Sequence, residues 1–124
     1  MSLKILLVDN SALLLSALHH LLDPMPGIEI VGEARDGSEG VCKAKELQPD
    51  LILLDIAMPK MTGLDVALRL QSWALAPKIL FLTMYDDIFY QDAARDLGAL
   101  GVIGKTDLVA DLLPMIQHLM AEQT

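Results

Sequence analysis

The stretch "DLILLD" (Asp50–Asp55) decides how the rest of the chain is read. Between two carboxylates lie four consecutive apolar residues with no polar alternation. A run of that length suits a strand covered on both faces, as in a parallel sheet flanked by helices. Outward from it, the hydrophobic period switches in a regular rhythm. "KILLV" (Lys4–Val8) reads as a buried strand and "SALLLSALHHLL" (Ser11–Leu22) as a helix, with Asn10 or Ser11 placed to cap it. "IEIVGEA" (Ile28–Ala34) alternates like a strand with a more exposed face, and "DGSE" (Asp36–Glu39) resembles a capping box opening a helix to about Leu47.

The same alternation continues beyond Asp55. "LDVALRLQS" (Leu64–Ser72) is helical, "KILFLT" (Lys78–Thr83) a strand, and "DIFYQDAARDL" (Asp87–Leu97) a helix stopped by Gly98. "GVIG" (Gly101–Gly104) is a short fifth strand. A last helix starts between Asp107 and Asp111, with Pro114 either in its first turn or kinking it. Five strands alternating with five helices imply an α/β fold: one parallel sheet with helices on both faces, in a single domain over residues 1–124.

Composition narrows the function. Apolar residues make up 53% of the chain and the mean hydropathy is +0.45, yet no apolar run approaches the ~20 residues of a membrane span. A formal charge of −8 argues against direct nucleic-acid binding, which needs Lys and Arg against phosphates. The lone Cys42, expected to be buried or half-buried in its helix, cannot form an internal disulfide. That fits a reducing cytoplasm, as does an N-terminus without signal-peptide layout.

In parallel sheets of this kind ligands gather at the carboxyl ends of the strands. The strand-end residues are Asp9–Asn10, Asp55, Thr83 and Lys105. Two carboxylates, an amide, a hydroxyl and an ammonium suit a hard cation such as Mg²⁺ together with a phosphoryl group. "GALGVIGKTD" (Gly98–Asp107) superficially suggests a nucleotide-binding P-loop. That motif wants Gly where Ala99 stands, and it precedes most of its sheet, whereas Lys105 follows this one. Lys105 is therefore expected to meet a phosphate carried by the protein itself. A phosphatase of the haloacid dehalogenase type would need a second Asp at position 57, which holds Ala57.

These residues resemble the receiver domain of two-component response regulators over essentially the whole chain. "LLVDN" (Leu6–Asn10) is similar to that family's acidic pocket. "LILLDIAMPKMTGLDV" (Leu51–Val66) is similar to its phosphoacceptor block, "ILFLT" to its switch-threonine strand, and "LGALGVIGK" to its lysine ending. The intervals from Asp55 to Thr83 and from Thr83 to Lys105 are of the kind the family uses. "LTMYDD" and "AARDLGALG" look most like receivers attached to LuxR-type DNA-binding domains.

The resemblance implies a flavodoxin-like (βα)5 doubly wound fold and a non-enzymatic signalling role. Asp55 would take a phosphoryl group from a sensor histidine kinase or phosphotransfer protein. Mg²⁺ would be held by Asp9, Asn10, Asp55 and the carbonyl of Ala57, while Thr83 and Lys105 would contact phosphoryl oxygens. Output would pass to a protein-interaction surface, with homodimerisation or an attached DNA-binding domain downstream. No such effector domain is recognisable in the 124 residues.

Two positions depart from the family pattern. Asn10 stands where a second acidic residue is usual, and Val102 where an aromatic switch residue is usual. Both leave open a degenerate receiver that acts as a phosphorylation-independent interaction module. His19, His20 and His118 lack metal-ligand spacing and read as surface or helix-packing residues. Asp86, Asp87, Asp92 and Asp96 read as a solvated helix face. The first helix carries more leucine than one core-facing stripe needs, so either a greedy core or a docking surface is expected there.

Overall fold

The run at Leu51–Asp55 forms a strand, β3, in which all five residues are buried. Its neighbours are β1 (Leu3–Val8) on one side and β4 (Lys78–Thr83) on the other. β2 (Ile28–Ala34) and β5 (Gly101–Gly104) form the edges, giving the order β2-β1-β3-β4-β5, all parallel. In this computed structural model residues 2–84 and 88–122 are described.

Helices α1 (Ala12–Leu22), α2 (Gly37–Leu47), α3 (Gly63–Gln71), α4 (Ile88–Asp96) and α5 (Leu113–Glu122) connect and follow the strands. Strand side chains alternate between two cores. Leu7, Leu53 and Leu80 point to the face covered by α1 and α5, and Leu6, Leu54 and Phe81 to the face covered by α2, α3 and α4. Each interior strand is thus sealed on both sides, which is why its sequence is continuously apolar. The expected doubly wound α/β architecture is the one found.

Caps set the helix starts. Ser11, rather than Asn10, caps α1, its side chain accepting from Leu14 N at 3.2 Å. Asp36 accepts from Glu39 N at 2.8 Å, but the Glu39 carboxylate turns outward to Lys43. The reciprocal capping box lies instead at Thr62 and Asp65, opening α3. Gly98, with φ of 75°, adopts the left-handed conformation that stops α4, as its position suggested.

Pro114 lies in the first turn of α5, and a wider π-helical turn at Leu108–Leu112 precedes it. A proline ring clashes with the carbonyl four residues earlier in a regular α-helix, and the wider turn relieves that crowding.

Cys42 corrects an expectation: it is exposed. Gly37, Gly40 and Ala44 form the buried stripe of α2, and Cys42 falls on the opposite side of the helix. Asp92 and Asp96 are exposed as expected, while Asp86 and Asp87 lie outside the described residues. The leucines of α1 grade from buried to exposed, with Leu14 and Leu21 half-buried against the core. Leu15, Leu18 and Leu22 enter the core, whereas Leu13 is 83% exposed.

Candidate functional site

The chain's first crossover runs over one face and its second over the other, so strand order reverses between β1 and β3. Such a reversal opens a crevice at the carboxyl ends of the two strands. Asp9 follows the last residue of β1 and Asp55 ends β3, so their carboxylates flank that crevice. They are 0% and 1% exposed respectively; among the described residues they and Thr83 are the buried polar ones.

The approach of α3 fixes the floor. Gly63 N donates to Ile56 O at 2.9 Å, and a Cβ at Gly63 would stand 2.3 Å from the carbonyl oxygen of Asp55. Only glycine lets the start of α3 pack so close to the strand end. Its place in "MTGLDV" was legible in the sequence; the backbone contact that requires it was not.

Lys105 is drawn in from β5. Its backbone N–H donates to Thr83 O at 2.8 Å, which ties the ends of β4 and β5 together. The ammonium reaches Asp9 Oδ2 at 2.9 Å and Asp55 Oδ1 at 3.1 Å, and its side chain is only 9% exposed. Asp55 Oδ1 also accepts from the amide of Ala57 at 3.2 Å, and Asp9 Oδ1 from Ser11 N at 2.8 Å. The contact with Asp9 Oδ2 is an ion pair without hydrogen-bond alignment. Both Oδ2 atoms are therefore buried acceptors that receive no hydrogen bond.

Burial pushes the Asp55 carboxyl above the usual carboxylate range, and the charge of Asp9 adds to the rise. Lys105 and the Ala57 amide pull in the opposite direction. Two carboxylates forced together in a dry crevice attract positive charge, and one ammonium offsets only part of it.

Asp9, Asp55 and Lys105 thus converge, and Thr83 is buried at the adjoining strand end. Ala57 is exposed and turns its amide to Asp55. Asn10 lies at the exposed rim, where its backbone carbonyl accepts from Arg35 Nη2 at 3.0 Å. Among the described residues no group of three or more His, Cys, Asp or Glu residues gathers as a metal site. The donor set suits Mg²⁺ in another way: two hard carboxylates whose buried Oδ2 atoms receive no hydrogen bond, in a chain segment that also offers amide and carbonyl oxygens. Val102 is half-buried against the α2–α4 core face.

Sequence reasoning missed one polar cluster. His19 Nε2 lies 2.6 Å from Glu33 and its Nδ1 3.3 Å from Asp23, bridging α1 to β2. Burial works against protonation of His19, but the two carboxylates outweigh it and raise its pKa. The Asp23 contact has the local i,i+4 spacing, but the Glu33 contact crosses elements and no local spacing announced it. His118 instead pairs along its own helix with Glu122.

A family model described as response regulator receiver domain matches residues 5–117. Transcriptional regulatory protein LiaR of Bacillus subtilis is 36% identical over 93% of this chain and 54% of its own length. PdtaR of Mycobacterium tuberculosis, also a transcriptional regulatory protein, is 37% identical over 92% of this chain and 55% of its own. The chain spans about half the length of these curated relatives. A solved two-component response regulator of the LuxR family from Aurantimonas superposes with a TM-score of 0.89. It shares 27% identity, covering 98% of this chain and 87% of that one. Among the described residues no helix is long and apolar enough to cross a membrane. The acidic crevice at the β1–β3 reversal therefore belongs to a response regulator receiver domain of two-component systems, and this chain is a member of that family.

Proposed function

We propose that this domain accepts a phosphoryl group on Asp55 from a phosphohistidine of a sensor histidine kinase or phosphotransfer protein. The observation that carries the reading is the convergence of Lys105 on Asp9 and Asp55, with two buried carboxylate oxygens left without hydrogen bonds. A carboxylate oxygen of Asp55 attacks phosphorus, a P–O bond forms, and the P–N bond breaks with its electron pair leaving on the imidazole nitrogen of a ring protonated at its other nitrogen. The products are an acyl phosphate on Asp55 and a neutral histidine on the donor.

A carboxylate is a weak nucleophile, so positioning and charge neutralisation carry the catalysis. The Ala57 amide and Lys105 fix the Asp55 carboxylate in place. Lys105 then pairs with a phosphoryl oxygen, and the Thr83 hydroxyl donates to another. Asp9, Asn10, Asp55 and the carbonyl of Ala57 would hold Mg²⁺, which when bound supplies positive charge against the phosphoryl oxygens.

Because Thr83 and Lys105 are tied through the backbone, movement at Thr83 is passed to the ends of β4 and β5. The half-buried aliphatic Val102 cannot act as an aromatic switch. Output therefore runs through the backbone and the face built by α4, β5 and α5, either by pairing two copies or through a DNA-binding unit. Leu13, exposed beside the buried Leu15, marks the side of α1 available to a kinase. The setting of this chemistry is the cytoplasm, where histidine kinases present their phosphohistidines.

Intact-protein mass after incubation with acetyl phosphate and Mg²⁺, beside an Asp55→Asn control, tests the reading. One phosphoryl adduct, absent from the control, is the expected result. No adduct from acetyl phosphate or a cognate kinase would overturn it. The neutral Asn10 would then mark a receiver that binds partners without phosphorylation.

A further inference from the structure

We infer that Arg35 is a built-in counter-charge that weakens divalent-cation binding in the Asp55 crevice, so that metal loads the crevice poorly until a phosphoryl group brings negative charge. The inference rests on the metal-holding part of the function proposed above. Arg35 follows Ala34, the last residue of β2, and Ala34 is paired with Val8 at the end of β1. Its guanidinium therefore emerges beside Asp9 and Asn10, and Nη2 is seated on the Asn10 carbonyl at 3.0 Å.

The neighbouring carboxylates Glu33 and Asp36 are engaged elsewhere rather than paired with it. Glu33 is taken by His19 at 2.6 Å, and Asp36 Oδ1 accepts from Glu39 N at 2.8 Å. Among the described residues no carboxylate forms an ion pair with Arg35. An arginine stays charged at every accessible pH, so this positive charge is permanent.

Charge bookkeeping within the crevice then becomes decisive. Asp9 and Asp55 face the ammonium of Lys105, and Asn10 contributes none of the charge an acidic side chain would add there. With Arg35 at the rim, the formal charges of Asp9, Asp55, Lys105 and Arg35 sum to zero before any metal enters. A divalent cation must therefore displace or tolerate two resident cations, while gaining only Asp55 Oδ2 and an Asp9 Oδ2 already held by Lys105. A phosphoryl group changes that balance, since its oxygens restore negative charge. Metal and phosphoryl group then bind in a mutually favourable way, as linkage requires.

Mn²⁺ titration followed by the electron paramagnetic resonance signal of the free ion reads the affinity without any phosphorylation step. Arg35→Gln should bind Mn²⁺ tighter than the wild type by roughly fivefold, the order expected when one unit charge is removed from the rim of a divalent-ion site in water. Asn10→Asp should tighten it by about tenfold or more, because the added charge is closer. The Arg35→Gln gain should shrink in concentrated KCl, as an exposed charge is screened. Thermal melting of Arg35→Gln should match the wild type.

Unchanged or weaker Mn²⁺ binding in folded Arg35→Gln overturns the inference. Binding that survives Asp9→Asn also overturns it, because the cation would then sit elsewhere. Mass measurement of acetyl phosphate-treated wild type separates the two readings. Tighter Mn²⁺ binding in Arg35→Gln with no Asp55 adduct leaves the charge effect standing and removes the phosphoacceptor role.

Discussion

Asp50 and Asp55 bracket the same strand, and their surroundings are opposite. At the amino end Asp50 Oδ2 accepts from Lys4 N at 2.8 Å, Asp50 N donates to Lys4 O at 2.8 Å, and Asp50 O accepts from Lys78 N at 3.0 Å. It stitches β1, β3 and β4 together beside an open apolar bowl that includes Leu3, Trp73 and Leu119. At the carboxyl end Asp55 is buried, shares an ammonium with Asp9, and keeps one oxygen without a hydrogen bond. A carboxylate whose bonds are all spent on the backbone is architectural. One that is dry and under-satisfied stores a demand for charge, and that demand is what the proposed phosphoryl transfer would use.

The largest effect should separate these two aspartates outright. Asp55→Asn should abolish the acetyl phosphate adduct, whereas Asp50→Ala should leave it intact. The stability changes should run the other way. The pKa of Asp55 is raised in the folded state, first by burial and then by Asp9, so the folded state keeps the proton to higher pH than the unfolded one. Stability contributed by the neutral form is present at low pH and declines as pH rises through the folded pKa. In EDTA buffer Asp55→Asn should therefore melt above the wild type at neutral pH, with the gap closing on acidification. A lower melting temperature throughout would show that the Lys105 pairing outweighs the burial cost.

Lys105→Met tests the same end from the cation's side. Removing one partner of a buried ion pair leaves uncompensated charge, so chemical denaturation at neutral pH should show a loss of about 3 kcal/mol. Acidification should recover part of it as the carboxylates are neutralised. Equal losses at all pH values would point to packing of the lysine stem instead.

At the other end, Asp50→Ala should cost about 1 kcal/mol, the net worth of a hydrogen bond with a partly exposed partner. Mg²⁺ binding should not change, and a change would couple the two ends of the sheet.

The smallest effect belongs to a third setting, the surface clasp of His19 with Glu33 and Asp23. Its raised pKa means that its stabilisation is present below the unfolded value and lost as pH rises through the folded value. His19→Gln should remove that loss, measured as the difference in melting between mildly acidic and alkaline buffer. The size should stay under about 1 kcal/mol because the pair is solvent-screened.

Comparison with the sequence shows where information resides. The parallel sheet was legible because burial on both faces demands unbroken apolar runs, and "DLILLD" and "KILFLT" display them. The strand ends were legible because a charged residue breaking such a run needs a reason to be there. Asp9, Asp55, Thr83 and Lys105 stand out that way, and the fold brings Lys105 onto Asp9 and Asp55. Cys42 was misplaced because a short helix of mixed polarity does not announce which side faces the sheet; the glycines and Ala44 decided it by close packing.

The sequence by itself determined the order of elements, the doubly wound class and the residue types available to the crevice, since these follow from local periodicity and interrupted apolar runs. Tertiary structure alone decided that Lys105 lies between Asp9 and Asp55, that Gly63 must lack a side chain, that His19 clasps Glu33, and that Arg35 rests on Asn10. Each is a contact between different elements, fixed by strand register and the packing of helices. Spacing along the sequence carries no record of such contacts.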